Sequence, residues 1–165
     1  MTINNNLGMY AEEMVNRTRM FYLNSDDIYI EKREIPIKIV KKMNNNFIVG
    51  KLLNKSFVDY FGYYKKYFFE FEVKETSQDF FNVNLIKPHQ LEFLTKINKH
   101  GVKTFILVYF SLYSAFYLIE YTWLMKQKEI SNSIEYKKIQ NECYKLEIFF
   151  PGILNLKQVF SLLYI

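Results

Sequence analysis

Asp59, Glu72 and Lys74 stand in the stretch "DYFGYYKKYFFEFEVKET", Asp59 to Thr76, with Glu72 thirteen residues after Asp59 and Lys74 two after Glu72. Two carboxylates brought together could hold a hard divalent cation, magnesium or manganese, through oxygen, leaving positions for water and substrate. The lysine could then orient the attacking water or neutralise charge in a phosphoryl transition state. These groups meet if the stretch folds back as a hairpin. With Lys65 and Lys66 as its turn, antiparallel pairing sets Asp59 opposite Glu72; moving the turn by one position sets it opposite Glu70 or Lys74. In every one of these registers Asp59, Glu70, Glu72 and Lys74 share a face, because strand side chains alternate. Phe69, Phe71 and Val73 take the other face and anchor the strand in the core. The bland alternative is a solvated strand face on which acidic and basic residues alternate.

Two further residues join the candidates. Gln90 precedes Leu94 and Ile97 by four and seven positions, so it faces inward in the first turn of a helix, where a polar group needs a reason. It could ligand the cation or bind its water. Glu12, beside the inward stripe of the first helix, could reach the same place from another side, or act as a solvated i, i+4 partner of Asn16. His89 caps or packs rather than catalyses, since nothing at that spacing pairs with it.

These residues need a scaffold, and the patterning supplies one. From Met9 to Leu23 the periodicity is helical, with Ala11, Val15, Thr18 and Tyr22 inward. Glu31 to Leu53 reads as one extended basic ribbon, "EIPIKIV" alternating and "NNNFIVGKLL" resuming after a turn at Asn44 to Asn46. A helix runs from about Pro88, suited to a first turn, to His100, with Gly101 as its cap. Strands follow at Lys103 to Phe110 and Ala115 to Tyr121. "TWLMKQKE" and "SIEYKKIQNE" read as short helices, "YKLEIFF" as a last strand and "NLKQVFSLLYI" as a terminal helix. The expectation is one α/β domain over residues 1–165, a mixed central sheet flanked by helices, with 31–53 as a protruding insertion.

Composition agrees with that size and excludes several classes. The chain has 165 residues, half of them hydrophobic, enough for a sizeable core. A formal charge of +5 and a pI near 9.1 favour a polyanionic partner, although coding bias also enriches lysine. Cys143 is the only cysteine, so no intrachain disulfide forms; it is read as a small buried hydrophobe in a reducing, cytoplasmic setting. "MTINNNLGMY" lacks the regions of a secretory signal. "TFILVYFSLYSAFYLI" is uncharged but short for a membrane span and rich in β-favouring residues, with "SLYS" as a turn, so it reads as two buried strands and no membrane is expected. Trp123 and the tyrosines are expected in the core or at a dimer contact.

The hairpin spacing is that of the PD-(D/E)xK nuclease constellation, and the chain as a whole resembles the RecU Holliday junction resolvases of low-GC Gram-positive bacteria and their wall-less relatives. "GMYAEEMVN" is similar to that family's opening helix, "REIPIKIV" to the segment leading into its stalk, and "DYFG…FEFEVKET" to its most diagnostic block. "HQLEFL…HGVKTFILVYF" is similar to its His-Gln helix and following strand, and "SNSI" to a late motif. The resemblance implies a restriction-endonuclease-like fold and a homodimeric, metal-dependent endonuclease that nicks opposed strands of a four-way DNA junction in recombination and repair. It implies metal positions at Asp59, Glu72 and Gln90, a transition-state stabiliser at Lys74, and an acidic residue near the site at Glu12. It implies magnesium or manganese as the cofactor, a stalk at 31–53 reaching the junction centre, and RecA as a further partner.

The chain departs from the family pattern at three places. Phe57 stands where the family has a threonine contributing to the metal site, and it cannot ligand anything. Leu7-Gly8 stands for Arg-Gly, and the family's longer basic tail is not expected before it. Lys65-Lys66 replaces the usual Lys-Gly turn. A protein that binds junctions, or modulates a recombinase, with weak or lost nuclease activity is the alternative these departures leave.

Overall fold

The computed structural model describes residues 9–43, 47–53 and 57–164. Helix α1 (Met9–Tyr22) comes first, and its inward stripe is the expected one, with Ala11, Val15, Thr18 and Tyr22 buried and Met14 added. Thr18 is tolerated there because its Oγ1 donates to the Met14 carbonyl at 2.8 Å and accepts from the Leu154 amide at 2.9 Å. Strands β1 (Ile28–Lys32), β2 (Ile37–Lys42) and β3 (Ile48–Leu52) follow, then the hairpin β4 (Tyr60–Tyr64) and β5 (Tyr67–Thr76). Next come β6 (Phe80–Asn82), α2 (Pro88–Lys99), β7 (Lys103–Phe110), β8 (Ala115–Glu120) and α3 (Tyr121–Lys128). The chain finishes with β9 (Ser133–Glu135), α4 (Tyr136–Glu142), β10 (Tyr144–Leu146), β11 (Ile148–Phe149), β12 (Ile153–Leu154) and α5 (Leu156–Leu163).

Six strands form the central sheet in the order β1-β4-β5-β7-β8-β10. Only β5 and β7 pair in parallel; α2 is the crossover between them, and the other neighbours are antiparallel. Both faces are covered. One carries Phe69, Phe71, Val73, Phe105, Leu107, Phe116 and Leu118 against α1 and α5. On the other, Ile106, Val108, Tyr117 and Ile119 lie under α2, α3 and α4. This is the mixed, helix-flanked architecture expected, and it is consistent with a restriction-endonuclease-like fold.

Several boundaries differ from the reading of the sequence. Glu31 and Lys32 end β1, an edge strand of the central sheet, so the separate two-stranded ribbon begins only at Ile37. The alternation of apolar residues runs through both strands and hides the break at residues 33–36. The turn expected at Asn44 to Asn46 lies outside the described residues. "YKLEIFF" breaks at Glu147: β10 joins the sheet and β11 pairs with β12. "SIEYKKIQNE" opens as β9, paired with β6, before α4 begins. The apolar run 104–119 is β7 and β8, with a turn at Ser111–Tyr113 and Ser114 at φ 47°. No helix among the described residues is long and apolar enough to cross a membrane. Cys143 is only partly buried, packed against the α2-side core, and burial pushes its thiol up to about 12. Trp123 packs on the same core while its indole N–H donates to Glu142 at 3.0 Å.

Candidate active site

The hairpin closes in the first of the registers considered. Tyr60 faces Phe71 and Tyr64 faces Tyr67, with Lys65 at φ 52° in the turn. Asp59, just before β4, is thereby set across from Glu72, and its Oδ2 accepts the Val73 amide at 2.9 Å. Gly62 permits this close packing: a Cβ there would lie 2.2 Å from the Tyr29 carbonyl oxygen and 2.7 Å from the Phe69 ring.

The carboxylate face of β5 is not solvated. Glu70 and Glu72 are buried at 3% and 1% exposure, on the side of the sheet that α2 covers. Neighbouring β7 presents Ile106 and Val108 on that side, so the carboxylates sit in largely apolar surroundings. Glu72 Oε1 accepts from Lys74 Nζ and, at 2.5 Å, from Gln90 Nε2. Its Oε2 is buried and receives no donor. Burial first, and then the Asp59 charge, raise the Glu72 carboxyl to about 7. Burial likewise raises Asp59, against the pull of the Val73 amide and the Lys74 charge. A second carboxylate facing it thus favours the protonated form of the buried Glu72 carboxyl.

Gln90 is buried as expected at the start of α2. Its Oε1 accepts the Lys87 amide at 3.0 Å, which ties the helix terminus to the site. The amide thus turns Nε2 toward Glu72, and its oxygen toward the helix. Pro88 and Gly101 occupy the helix ends that the sequence suggested, Gly101 at φ 83°. Glu12 reaches the same recess from α1, where its Oε2 is paired with Lys32 Nζ at 2.6 Å. The recess, about 600 Å³, is lined by Asp59, Glu72, Lys74, Gln90 and Glu12, with Lys87 and His89 from the α2 terminus and Ile35, Leu52 and Leu53 from the base of the ribbon. Phe57 lies outside it, half-exposed and stacked on Phe93.

One interaction escaped the sequence reading. Arg33 Nη2 donates to Glu70 Oε1 at 2.6 Å, and its guanidinium lies 5.0 Å from the Phe61 ring centroid and 5.6 Å from that of Phe93. The Arg33 amide also donates to the Asp59 carbonyl at 2.8 Å. The signal was present: "FFEFEVK" carries a second glutamate that no metal site requires, and a buried charge needs a counter-ion.

The donor set suits a hard divalent cation. Its carboxylates offer oxygen, one of those oxygens is buried without a donor, and they line a recess of about 600 Å³ with room for water and substrate. Among the described residues no group of three or more His, Cys, Asp and Glu side chains is placed to hold a metal ion by itself. Remaining ligands would therefore come from water, an amide oxygen or the substrate.

Comparison with known proteins supplies the context. The family described as Recombination protein U matches residues 6–161. The chain belongs to the RecU family. It is 33% identical over 160 residues to the Holliday junction resolvase RecU of Ureaplasma parvum, covering 96% of this chain and 94% of that protein. It is 37% identical over 153 residues to the namesake in Mycoplasmopsis pulmonis, covering 93% and 92%. A RecU of Streptococcus suis is 28% identical over 158 residues, covering 90% of this chain and 77% of its own. In this RecU chain the residues singled out by the hairpin spacing and the helix that follows, Asp59, Glu72, Lys74 and Gln90, line one recess.

Proposed function

We propose that this chain is a structure-selective endonuclease that resolves four-way DNA junctions by metal-dependent phosphodiester hydrolysis, in recombination and repair. The observation that carries the reading is the partly buried Asp59 set across from the buried Glu72, with one Glu72 oxygen shared by Lys74 and Gln90 and the other left without a donor. Asp59 and Glu72 would hold magnesium or manganese, which when bound lowers the pKa of a water and offsets charge on the phosphate. Lys74 then neutralises charge developing on the phosphoryl oxygens. Gln90 keeps Glu72 oriented, or with its amide turned over presents Oε1 as a further ligand. Glu12, tied to Lys32, holds negative charge at the Asp59 side of the recess and raises the need for a cation there.

Junction choice in this reading comes from geometry rather than base readout. The ribbon of β2 and β3 is exposed along its whole length and carries Lys38, Lys41, Lys42 and Lys51 for phosphate contact. Its Ile37, Ile39, Val40, Val49 and Leu52 are exposed as well, an apolar surface suited to a second copy. A homodimer of this kind would bring two sites to opposed strands of one junction. The protein then works in the cytoplasm on chromosomal DNA, with RecA as a further partner.

The test is a labelled four-way junction beside a linear duplex of the same sequence, with wild type and Lys74→Ala, in magnesium and then manganese. Paired nicks on the junction alone, lost in the variant with the gel shift retained, are expected. Tight binding without nicks in either metal would favour the junction-binding alternative, which the exposed Phe57 beside the site makes specific.

A further inference from the structure

A second recess, about 510 Å³, opens beside the carboxylate site, and His89 lines both. Phe57, Glu92, Phe93, Lys96 and Ile97 complete its lining. Phe57 and Phe93 stack there with centroids 4.7 Å apart and planes 25° from parallel, although Phe57 remains 52% exposed. The stack therefore holds an aromatic face open to solvent rather than hiding it.

The position of this face is fixed by the site itself. Phe57 is two residues before Asp59, and Phe93 is three residues after Gln90, a rise of about 4.5 Å along α2. The Arg33 guanidinium lies against Phe93, and Lys96 stands on the rim, so positive charge accompanies the ring on a chain of net charge +5. Glu92 is the one acidic group in the lining, a turn away from Lys96. An aromatic face bordered by cations and continuous with a phosphodiester site suits one occupant, a nucleobase drawn out of its stack.

The geometry points to a base-stacking subsite: Phe57, backed by Phe93, takes the face of a nucleobase in the strand being cut, next to the scissile phosphate. This rests on the endonuclease reading above. Every base has a π face, so the subsite selects unstacked structure rather than sequence. A base at a branch point enters readily, whereas one inside a continuous duplex must first be unstacked. Phe57 thus acts as a substrate-binding residue beside the carboxylate recess.

The experiment uses full-length protein and a four-way junction carrying 5-iodouracil singly at each position around the branch point. Ultraviolet crosslinking should give an adduct on the Phe57 or Phe93 peptide from one or two adjacent positions. Phe57→Ala should lower kcat/KM on the junction by about 5- to 100-fold, and Phe57→Trp should restore it. Thermal melting of both variants excludes a folding defect, which the exposure of Phe57 makes a small concern. Wild-type nicking with no such adduct, or with an unchanged Phe57→Ala rate, would overturn the subsite and leave the resolvase reading standing. If wild type binds without nicking, that reading fails, and the adduct map alone decides the subsite. A Phe57→Ala protein with altered sedimentation and unchanged adducts would assign the ring to a contact between copies, again overturning it.

Discussion

Without divalent cation the protein should lose stability as pH rises from about 5 to about 8, and Glu72→Gln should remove most of that loss. A carboxyl whose folded pKa exceeds its unfolded value binds its proton more tightly in the folded state. Its stabilising contribution is complete below the ordinary value of 4.5 and disappears as pH rises through the folded value, about 7 for Glu72. At ~1.36 kcal/mol per pH unit that gap is worth about 3 kcal/mol, or roughly 6–12 °C in melting temperature for a chain of this length. Asp59 is raised too and adds in the same direction, the two titrating as a pair. Glutamine at position 72 imitates the protonated acid, keeping an oxygen for Lys74 and offering an N–H toward Asp59. The assay is thermal melting with chelator across that range, for both proteins, repeated with millimolar magnesium. Magnesium should restore the wild type near pH 8 and leave the variant nearly unmoved. Parallel curves for the two proteins would refute the idea that the Asp59 and Glu72 pair carries this titration.

Gln90→Ala should weaken metal activation by about 10- to 100-fold, read as a higher magnesium requirement for nicking, and cost roughly 1 kcal/mol at the α2 terminus. Arg33→Ala leaves Glu70 buried without its partner and should destabilise by about 3 kcal/mol in urea unfolding. Adding Glu70→Gln to that variant should recover part of the loss; an additive double variant would mean that the pair is not coupled. Alanine at Lys38, Lys41, Lys42 or Lys51 should lower the steepness of log affinity against log salt by up to ~1 each while leaving nicking at saturating protein intact.

Local pattern made much of this architecture legible. Period-two alternation placed Asp59, Glu70, Glu72 and Lys74 on one face whatever the turn position, the structure then choosing the register, and the inward position of Gln90 followed from Leu94 and Ile97 below it. The depth of the site was harder to foresee. A strand with Glu70, Glu72 and Lys74 on one side reads as half-solvated until α2 is known to cover it, and that covering comes from a crossover no local period encodes. The Arg33 and Glu70 pair joins residues 37 positions apart, and the basic ribbon offered several equivalent cations for the role. Residues 31 and 32 alternate like the ribbon that follows, yet pair with β4, because tertiary pairing decides what alternation leaves open.

The parallel pairing of β5 with β7 has a consequence for the order of events during synthesis. The β4–β5 hairpin closes from neighbouring residues and brings the two carboxylates together early, as they leave the ribosome. Gln90 and the wall that buries the pair travel on α2, which docks only when β7, ending at Phe110, is available to fix it. A partial chain ending before that strand holds two adjacent negative charges in water, without the enclosure that raises their hunger for a cation. Assembly of the recess is thereby delayed until two thirds of the polypeptide has emerged.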